Sequence, residues 1–420
     1  MTGENWIDDV LSECGHVETP RSWLWWSLCT AVSAVSAGYY LRTLRGAVLY
    51  KPNLYVMLLG ESGLGKGFGV NLSKLMVQKA DCTRVIAGRS SIQAIVSELA
   101  KQKSNADGKA PITDSRGFVV NGELSSAIIA DVDALSILTD LYDGHYNPEW
   151  DNLLKVSGKE KLKQPYITTL FGSSPDHFYD SIPAANIGGG YVARNLIIYE
   201  EKRYQNVDLL DYTDNDSSAP SDLVNGYLVP KYSAYLREIS AGGGSMTYSN
   251  PARDMFNSWR TKWREEQRKE KTGFFNRVPD HVLKTAMCIC LARYNSGLLI
   301  NEFDMAEAIE KVTNLIYANK IAASGTKEAD PIASHTKTVV RLLVSSKDNE
   351  LLRRVLASRA YPFGLADINT LDKILDTLEQ MGWVHRERVG VGKNNDWLVK
   401  LAGEPLKEYL EWVKVQEVKK

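Results

Sequence analysis

Six consecutive apolar residues, Leu54-Tyr55-Val56-Met57-Leu58-Leu59, run directly into Gly60-Glu61-Ser62-Gly63-Leu64-Gly65-Lys66-Gly67, and a helical pattern opens near Phe68. No other stretch restricts the fold so strongly. An uninterrupted apolar run of this length is the pattern of a strand buried on both faces of a parallel sheet. Glycines spaced through the following loop let the chain turn tightly into the next helix. Strand, loop and helix in that order form a P-loop: backbone amides and the positive end of the helix converge on an anion, and Lys66 adds a point charge where the β- and γ-phosphates of a nucleotide lie. The alternative, a chance glycine turn, lacks a reason for this context. Gly60 to Phe68 are therefore the expected nucleotide-binding residues.

The next position departs from the pattern. A P-loop normally continues with Ser or Thr, whose hydroxyl ligates Mg²⁺, and Gly67 has no side chain to offer. A second signal, Gly117-Phe118-Val119-Val120-Asn121-Gly122-Glu123, is a short apolar strand ending in an acid. Glu123 is thereby placed to orient and polarise a water attacking the γ-phosphate. Gly122 stands where an Asp is usual, so Mg²⁺ would be held by phosphates, waters and Glu123. An exposed loop glutamate is the plainer reading.

A third signal is the apolar run at 166–171 leading into Gly172-Ser173-Ser174-Pro175-Asp176, followed by Gly188-Gly189-Gly190-Tyr191-Val192-Ala193-Arg194. Ser174 is placed to hydrogen-bond the water or the γ-phosphate, although it reaches less far than an asparagine. Arg194 begins an apolar strand after a glycine run, from which it could serve a neighbouring subunit's nucleotide as an arginine finger. A structural salt bridge is its alternative.

Around these signals, apolar strands are expected at 54–59, 83–87, 118–120, 166–171 and 195–199, with helical patterns between the early ones, which implies a three-layer α/β core. Two helices at 4–14 and 20–37 precede it as an N-terminal cap, the second opened by Thr19-Pro20 as hydroxyl cap and first-turn proline. A short hairpin is expected over 39–50. Helices dominate from 229 to 322, with a solvated charged face at 260–271, and residues 207–222 read as an acidic surface loop. After a linker at 323–334, helical signals at 336–345, 349–358 and 366–381, then 383–388, the turn GVGKNN and 396–401, suggest a winged helix-turn-helix. The expected domains are thus 1–50, an ATPase core at 51–228, a helical lid at 229–325 and a winged helix at 335–420.

Composition narrows the classes. With 44% hydrophobic and 24% charged residues, the chain is neither disordered nor collagen-like nor a multi-span membrane protein. Lys and Arg number 50 against 51 Asp and Glu, so contact with nucleic acid must come from local basic elements. Residues 22–41 carry no charge, but Ser27, Thr30, Ser33 and Ser36 give one side of that helix a small, polar face suited to close packing rather than lipid. Five cysteines without a CxxC pair argue against a zinc site or disulfide framework, and the acidic start of the chain is unlike a signal peptide. A cytoplasmic location is expected. His145, His177, His281 and the Cys288/Cys290 pair are assigned no chemistry.

Taken together, TPRSWLWWSL, NLYVMLLGESGLGKG, VVNGELS, LYDG, TTLFGSSPD, GGGYVARNLIIYE and FFNRVPDHVLKTAM resemble, over about residues 6–318, phage and mobile-element AAA+ replicative helicase-like proteins, distantly similar to minichromosome maintenance helicases. The resemblance implies Lys66 as Walker A lysine, Glu123 as Walker B glutamate, Ser174 at the sensor 1 position, Arg194 as a trans-acting finger and Arg277 as a sensor 2 arginine. It also implies ATP with Mg²⁺, a ring-shaped homo-oligomer of hexameric type, and a primase or other replication partner. In that class a hairpin before sensor 1 enters the channel. The pattern at 150–163 then makes Lys155, Lys159, Lys161 and Lys163 the residues expected to touch the DNA backbone. Lys373 on the second helix of the winged module, with Arg386, Arg388 and Lys393 on its wing, are the further candidates for phosphate contact, a protein-docking winged helix being the alternative. A DNA helicase or translocase is the leading expectation. A nucleotide-gated initiator or loader with weak hydrolysis, and a regulatory ATPase with a protein substrate, are its rivals.

Overall fold

Alternate residues of the apolar run feed two different cores: Leu54, Val56 and Leu58 belong to one buried cluster, Tyr55, Met57 and Leu59 to another. A strand can do this only if both its faces are covered. The computed structural model describes residues 5–43, 48–88, 90–101, 114–123, 134–144, 149–154, 158–175, 177–178, 190–206, 223–266, 273–315, 339–340, 342–344, 346–361, 368–380, 382–390, 396–403 and 407. The chain divides into two units, Met1–Ser324 and Gly325–Lys420.

In chain order, the first unit begins with α1 (Trp6–Glu13), α2 (Arg21–Val35), β1 (Tyr39–Thr43), β2 (Val48–Tyr50), β3 (Tyr55–Leu59), α3 (Lys66–Ala80), β4 (Arg84–Ala87), α4 (Ile92–Ala100) and β5 (Arg116–Asn121). It continues with α5 (Ala134–Tyr142), β6 (Glu149–Leu154), β7 (Gly158–Lys163), β8 (Tyr166–Ser173), α6 (Gly190–Ala193) and β9 (Asn195–Tyr199). Last come α7 (Val229–Ala241), β10 (Gly244–Tyr248), α8 (Asn250–Glu266), α9 (Gly273–Ala292), β11 (Leu299–Ile300) and α10 (Glu302–Asn314).

All five strands expected from the apolar runs form one parallel sheet, in the order β4-β5-β8-β3-β9. Helices cover both faces, with α2, α3, α7 and α9 on the side of Val56 and Phe118, and α4, α5 and α6 on the side of Met57 and Ile167. The chain is thus a mixed α/β protein with a central parallel sheet.

Helix α2 is not a peripheral cap. It is buried along its length, because its small residues permit close approach on two sides. Ser27 faces Gly69 of α3, where a Cβ would lie 2.9 Å from the serine hydroxyl. Ser33 accepts the Leu54 amide at 3.0 Å and lies 3.0 Å from the Thr168 hydroxyl. Trp23 adds an anchor, its indole donating to the Ile198 carbonyl at 2.9 Å. The charge-free stretch therefore divides into a buried helix and strand β1, and among the described residues no helix is long and apolar enough to cross a membrane.

Two short strands, β10 and β11, lie within the region where helices are expected to dominate, and do. The hairpin of β1 and β2 forms as expected, with Leu41 opposite Tyr50, but β10 adds to it in parallel and β11 follows, in the order β11-β10-β1-β2. The glycines at 242–244 make this possible: a Cβ on Gly38 would stand 2.8 Å from the Gly242 carbonyl, and Gly244 adopts φ +128°. Of the charged stretch at 260–271, Arg264 and Glu265 are exposed as expected. The expected acidic loop at 207–222 and the linker at 323–334 lie outside the described residues.

The second unit contains β12 (Glu350–Leu352), α11 (Arg353–Ala360), α12 (Ile368–Gln380), β13 (Val384–Val389) and β14 (Asp396–Leu401). Its strands make an antiparallel sheet in the order β12-β14-β13. The segment expected to be helical at 349–358 opens as a strand, because Leu351 pairs across to Val399 and is buried there. Leu356, Ile374, Leu375, Leu378 and Val384 complete a separate core.

Candidate nucleotide-binding cleft

The C-terminal edge of a parallel sheet is where loops from neighbouring strands converge. Here β3 ends at Leu59 and β8 ends beside it at Ser173. β5 ends at Asn121, one strand further out. A cleft of about 430 Å³ opens at this edge, lined by Ser62, Gly63, Gly65, Lys66, Gly67, Gly122, Glu123, Ser173, Ser174 and His177. Three separate sequence signals, far apart in the chain, thus meet in one cleft: Lys66, Glu123 and Ser174.

The loop between β3 and α3 holds its shape through backbone that only glycine adopts readily. Gly63 and Gly65 have φ of +87° and +89°, the left-handed region that turns consecutive amides toward one point. Gly60 is held close as well, since a Cβ there would fall 2.5 Å from the Glu200 carbonyl and 2.8 Å from the Trp23 ring. The expected cap at Thr19 turns out differently. Helix α2 starts without a side-chain cap, and the Thr19 hydroxyl donates instead to the Gly65 carbonyl. Arg203 braces the loop from outside, donating to the Gly63 carbonyl at 3.2 Å and pairing with Glu18 at 2.6 Å.

The Lys66 ammonium donates to the carbonyls of Gly60 and, at 2.8 Å, Glu61, and lies 5.7 Å from the centre of the Trp23 ring. Burial pushes its pKa down, opposed by the negative charges of Glu61 and Glu123. Glu61 and Glu123 are both exposed, and Leu64 and Phe68 pack against the core. Asn121 shapes the turn that presents Glu123: its amide donates to the Gly88 carbonyl at 3.3 Å and its oxygen accepts the Glu123 amide at 3.4 Å. The neighbouring strand end comes close, because a Cβ on Gly172 would stand 2.3 Å from the Gly122 carbonyl. By contrast, a Cβ on Gly67 or Gly122 would meet nothing within 4 Å. The two positions that lack the customary Mg²⁺-binding side chains therefore face open space in or beside the cleft.

Arg194 is placed otherwise than as a finger. Its guanidinium is buried, donates to Asp143 through Nε at 3.1 Å and through Nη2, and reaches the Gly190 carbonyl through Nη1 at 2.7 Å. It also lies 5.8 Å from the centre of the Tyr142 ring. This is the structural salt bridge that was its alternative, and it follows from Gly190 and Arg194 flanking the single turn of α6. Arg277 lies 3.8 Å from the same Asp143 oxygen and does not line the cleft.

Beyond the cleft, the expected hairpin forms between β6 and β7, with Leu154 opposite Gly158 at the tip and Glu149 opposite Lys163 at the base. Lys161 and Lys163 stand toward the base and are exposed, and Lys161 lies 3.8 Å from Glu149. Lys155, like the side chain of Lys159, lies outside the described residues. In the second unit Lys373 is exposed on α12. Arg386 is committed internally, to Glu379 at 2.5 Å and Asp376 at 2.7 Å, because α12 presents both acids to β13. Arg388 covers the Trp397 ring at 5.4 Å, and Lys393 lies outside the described residues.

Reading the sequence did not single out His177, which lines the cleft, or Thr19 and Trp23, which pack against its glycine loop. None has a spacing signature; only the tertiary approach of the segment after β8, and of α2 with the segment before it, reveals them. No group of three His, Cys, Asp or Glu side chains able to hold a metal occurs among the described residues.

No protein-family model matches the chain. Over 148 residues, 32% of this chain and 52% of the other, it is 25% identical to an ATP synthase gamma chain of Ruminococcus albus. The chain thus spans about half the length of that relative, and a match this short and divergent shows no family.

Proposed function

We propose that the chain is an ATP-dependent DNA helicase or translocase of the AAA+ type, of phage or mobile-element replication, working in the cytoplasm as a ring-shaped, hexameric homo-oligomer. The observation that carries the reading is the convergence of Lys66, Glu123 and Ser174 on one cleft beneath a loop with two left-handed glycines. The triphosphate tail lies along the Gly60–Gly65 amides with Lys66 at the β- and γ-phosphates, and Glu123 orients the attacking water. Strand β8 between β3 and β5 supports the AAA+ assignment, since it brings the sensor-like Ser174 between the lysine and the acid. Helices α7 to α10 occupy the region expected as a lid, with α7 and α9 sharing the core on one face of the central sheet, and among the described residues the helices and three-stranded sheet of the second unit fit a winged helix. Lys155, Lys159, Lys161 and Lys163 on the hairpin, with Lys373 on the winged module, are the DNA-facing cations. A primase is the partner class that fits.

Mg²⁺ neutralises phosphate charge in such reactions. The residues fit an ion that arrives with the nucleotide, through Glu123, rather than one caged by protein ligands.

One observation favours a second reading, a nucleotide-gated initiator or loader with weak hydrolysis: Gly67 and Gly122 contribute no ligand to the cleft. ATPase activity with and without single-stranded DNA, alongside mass with and without a non-hydrolysable ATP analogue, separates the two. A motor shows DNA-stimulated turnover that Lys66→Ala and Glu123→Gln abolish. A loader shows nucleotide-dependent assembly on DNA with little turnover. A DNA-independent rate unchanged by Lys66→Ala contradicts both.

A further inference from the structure

We propose that His177 is the side chain that contacts the terminal phosphate on the β8 wall of the cleft, and that Ser174 acts mainly by positioning it. This rests on the triphosphate reading given above.

The segment after β8 is built as a capped turn. The Ser174 hydroxyl accepts the His177 amide at 3.3 Å, and the Ser174 carbonyl accepts the Phe178 amide at 2.9 Å. Pro175 follows the capping serine, where its fixed φ suits a first helical position. Phe178 is fully buried in the core that faces α4 and α5. The turn is therefore pinned at its start by the cap and at its end by an apolar anchor. His177, between those two fixed points, lines the cleft together with Lys66, Gly67 and Glu123.

Position and chemistry agree. Because β8 runs between β3 and β5, whatever follows it emerges between the lysine and the acid, beside the end of the phosphate tail rather than its base-proximal part. The serine hydroxyl is short: the cap uses one of its acceptor lone pairs, and the O–H that could donate to a phosphate reaches less far than an imidazole N–H. An imidazole reaches further and carries an N–H that can donate to a phosphate oxygen. His177 thus supplies on this wall the longer donor that Ser174 cannot.

The test is equilibrium titration of the full chain with ATP and with ADP, in the presence of Mg²⁺. His177→Ala is expected to weaken ATP binding by at least about tenfold, the worth of one hydrogen bond to a charged acceptor, while changing ADP binding by less than about threefold on the same scale. His177→Gln, which keeps an N–H donor, recovers most of the loss, an outcome a merely structural role would not give. Equal losses for both nucleotides, or none for either, overturn the proposal while leaving the triphosphate reading intact. If the unaltered chain retains neither nucleotide, both fall together.

Discussion

The Thr19 hydroxyl lies 3.2 Å from the Gly65 carbonyl, joining the segment before α2 to the glycine that precedes α3. The same hydroxyl would stand 2.7 Å from a Cβ at position 65, and Gly65 sits at φ +89°. Two penalties therefore fall on Gly65→Ala, a steric one from Thr19 and a conformational one of about 1–2 kcal/mol for a left-handed alanine. We expect Gly65→Ala to lower the thermal midpoint and to weaken ATP binding by at least about tenfold, as amide alignment is lost. Adding Thr19→Ala should relieve the steric part alone. Full recovery in the double variant would show that backbone conformation at Gly65 is unimportant.

The open positions should behave in the opposite way. Gly67→Ser places a hydroxyl where a Cβ has nothing within 4 Å, at the first turn of α3. It should leave the thermal midpoint near that of the unaltered chain and raise Mg²⁺-dependent ATP turnover, by roughly tenfold if one charged contact is restored. Turnover that stays flat would mean that the missing hydroxyl does not limit hydrolysis.

Lys284 on α9 is buried, donating to Asn53 Oδ1 at 2.7 Å with its ammonium 3.7 Å from the centre of the Tyr142 ring. Burial pushes its pKa down to about 7, against the pull of Asp143 and Asp280 and together with the charge of Arg277. The unfolded chain therefore binds the extra proton between pH 7 and about 10.4 while the folded chain does not, so this lysine makes stability rise with pH across that window. Cys14 and Cys290, raised by burial to about 11 and about 12, act in the other direction from their ordinary thiol range upward. Between pH 7 and 8.5 the thiols contribute little, and the same-signed slope from His281, pushed by burial down to about 3, fades through that interval. Denaturant unfolding there should show a positive slope of up to roughly 1.4 kcal/mol per pH unit, and Lys284→Met should remove it. Identical slopes would contradict the assignment.

Breaking the pair of Arg194 and Asp143 should cost stability, because the Arg194 guanidinium is buried, whereas Asp143 is one-third exposed and keeps Arg277 at 3.8 Å. Arg194→Ala is expected to destabilise by roughly 2 kcal/mol, the worth of hydrogen bonds to a charged acceptor, read as a shift in the denaturation midpoint. The double variant with Asp143→Ala should be less damaged than the sum of the two single ones. Strict additivity would show that the pair is not coupled and would free Arg194 for another role.

Much of the parallel sheet could be read from the chain because its strand β3 is apolar on both faces, as at Val56 and Met57, and such runs have few other solutions. The glycine turn between β3 and α3 was legible for the same reason, through glycines placed just beyond a buried strand. Elements that depend on distant partners were not. Strand β10 is half exposed and forms only because the glycines at 242–244 let it approach β1. The commitments of Arg194 and Arg386 depend on acids 51 and 7 to 10 residues away in sequence, which no periodicity announces. His177 entered the cleft through a capped turn whose direction is set by burial of Phe178.

The account stands or falls on the grip of the loop that ends at Lys66 on a triphosphate. Calorimetric titration of Mg·ATP into the full chain measures it directly. We expect saturable binding of one nucleotide per chain that Lys66→Ala weakens by at least about tenfold without lowering the thermal midpoint of the nucleotide-free protein. Absence of heat at millimolar nucleotide, or unchanged affinity in Lys66→Ala, would contradict it.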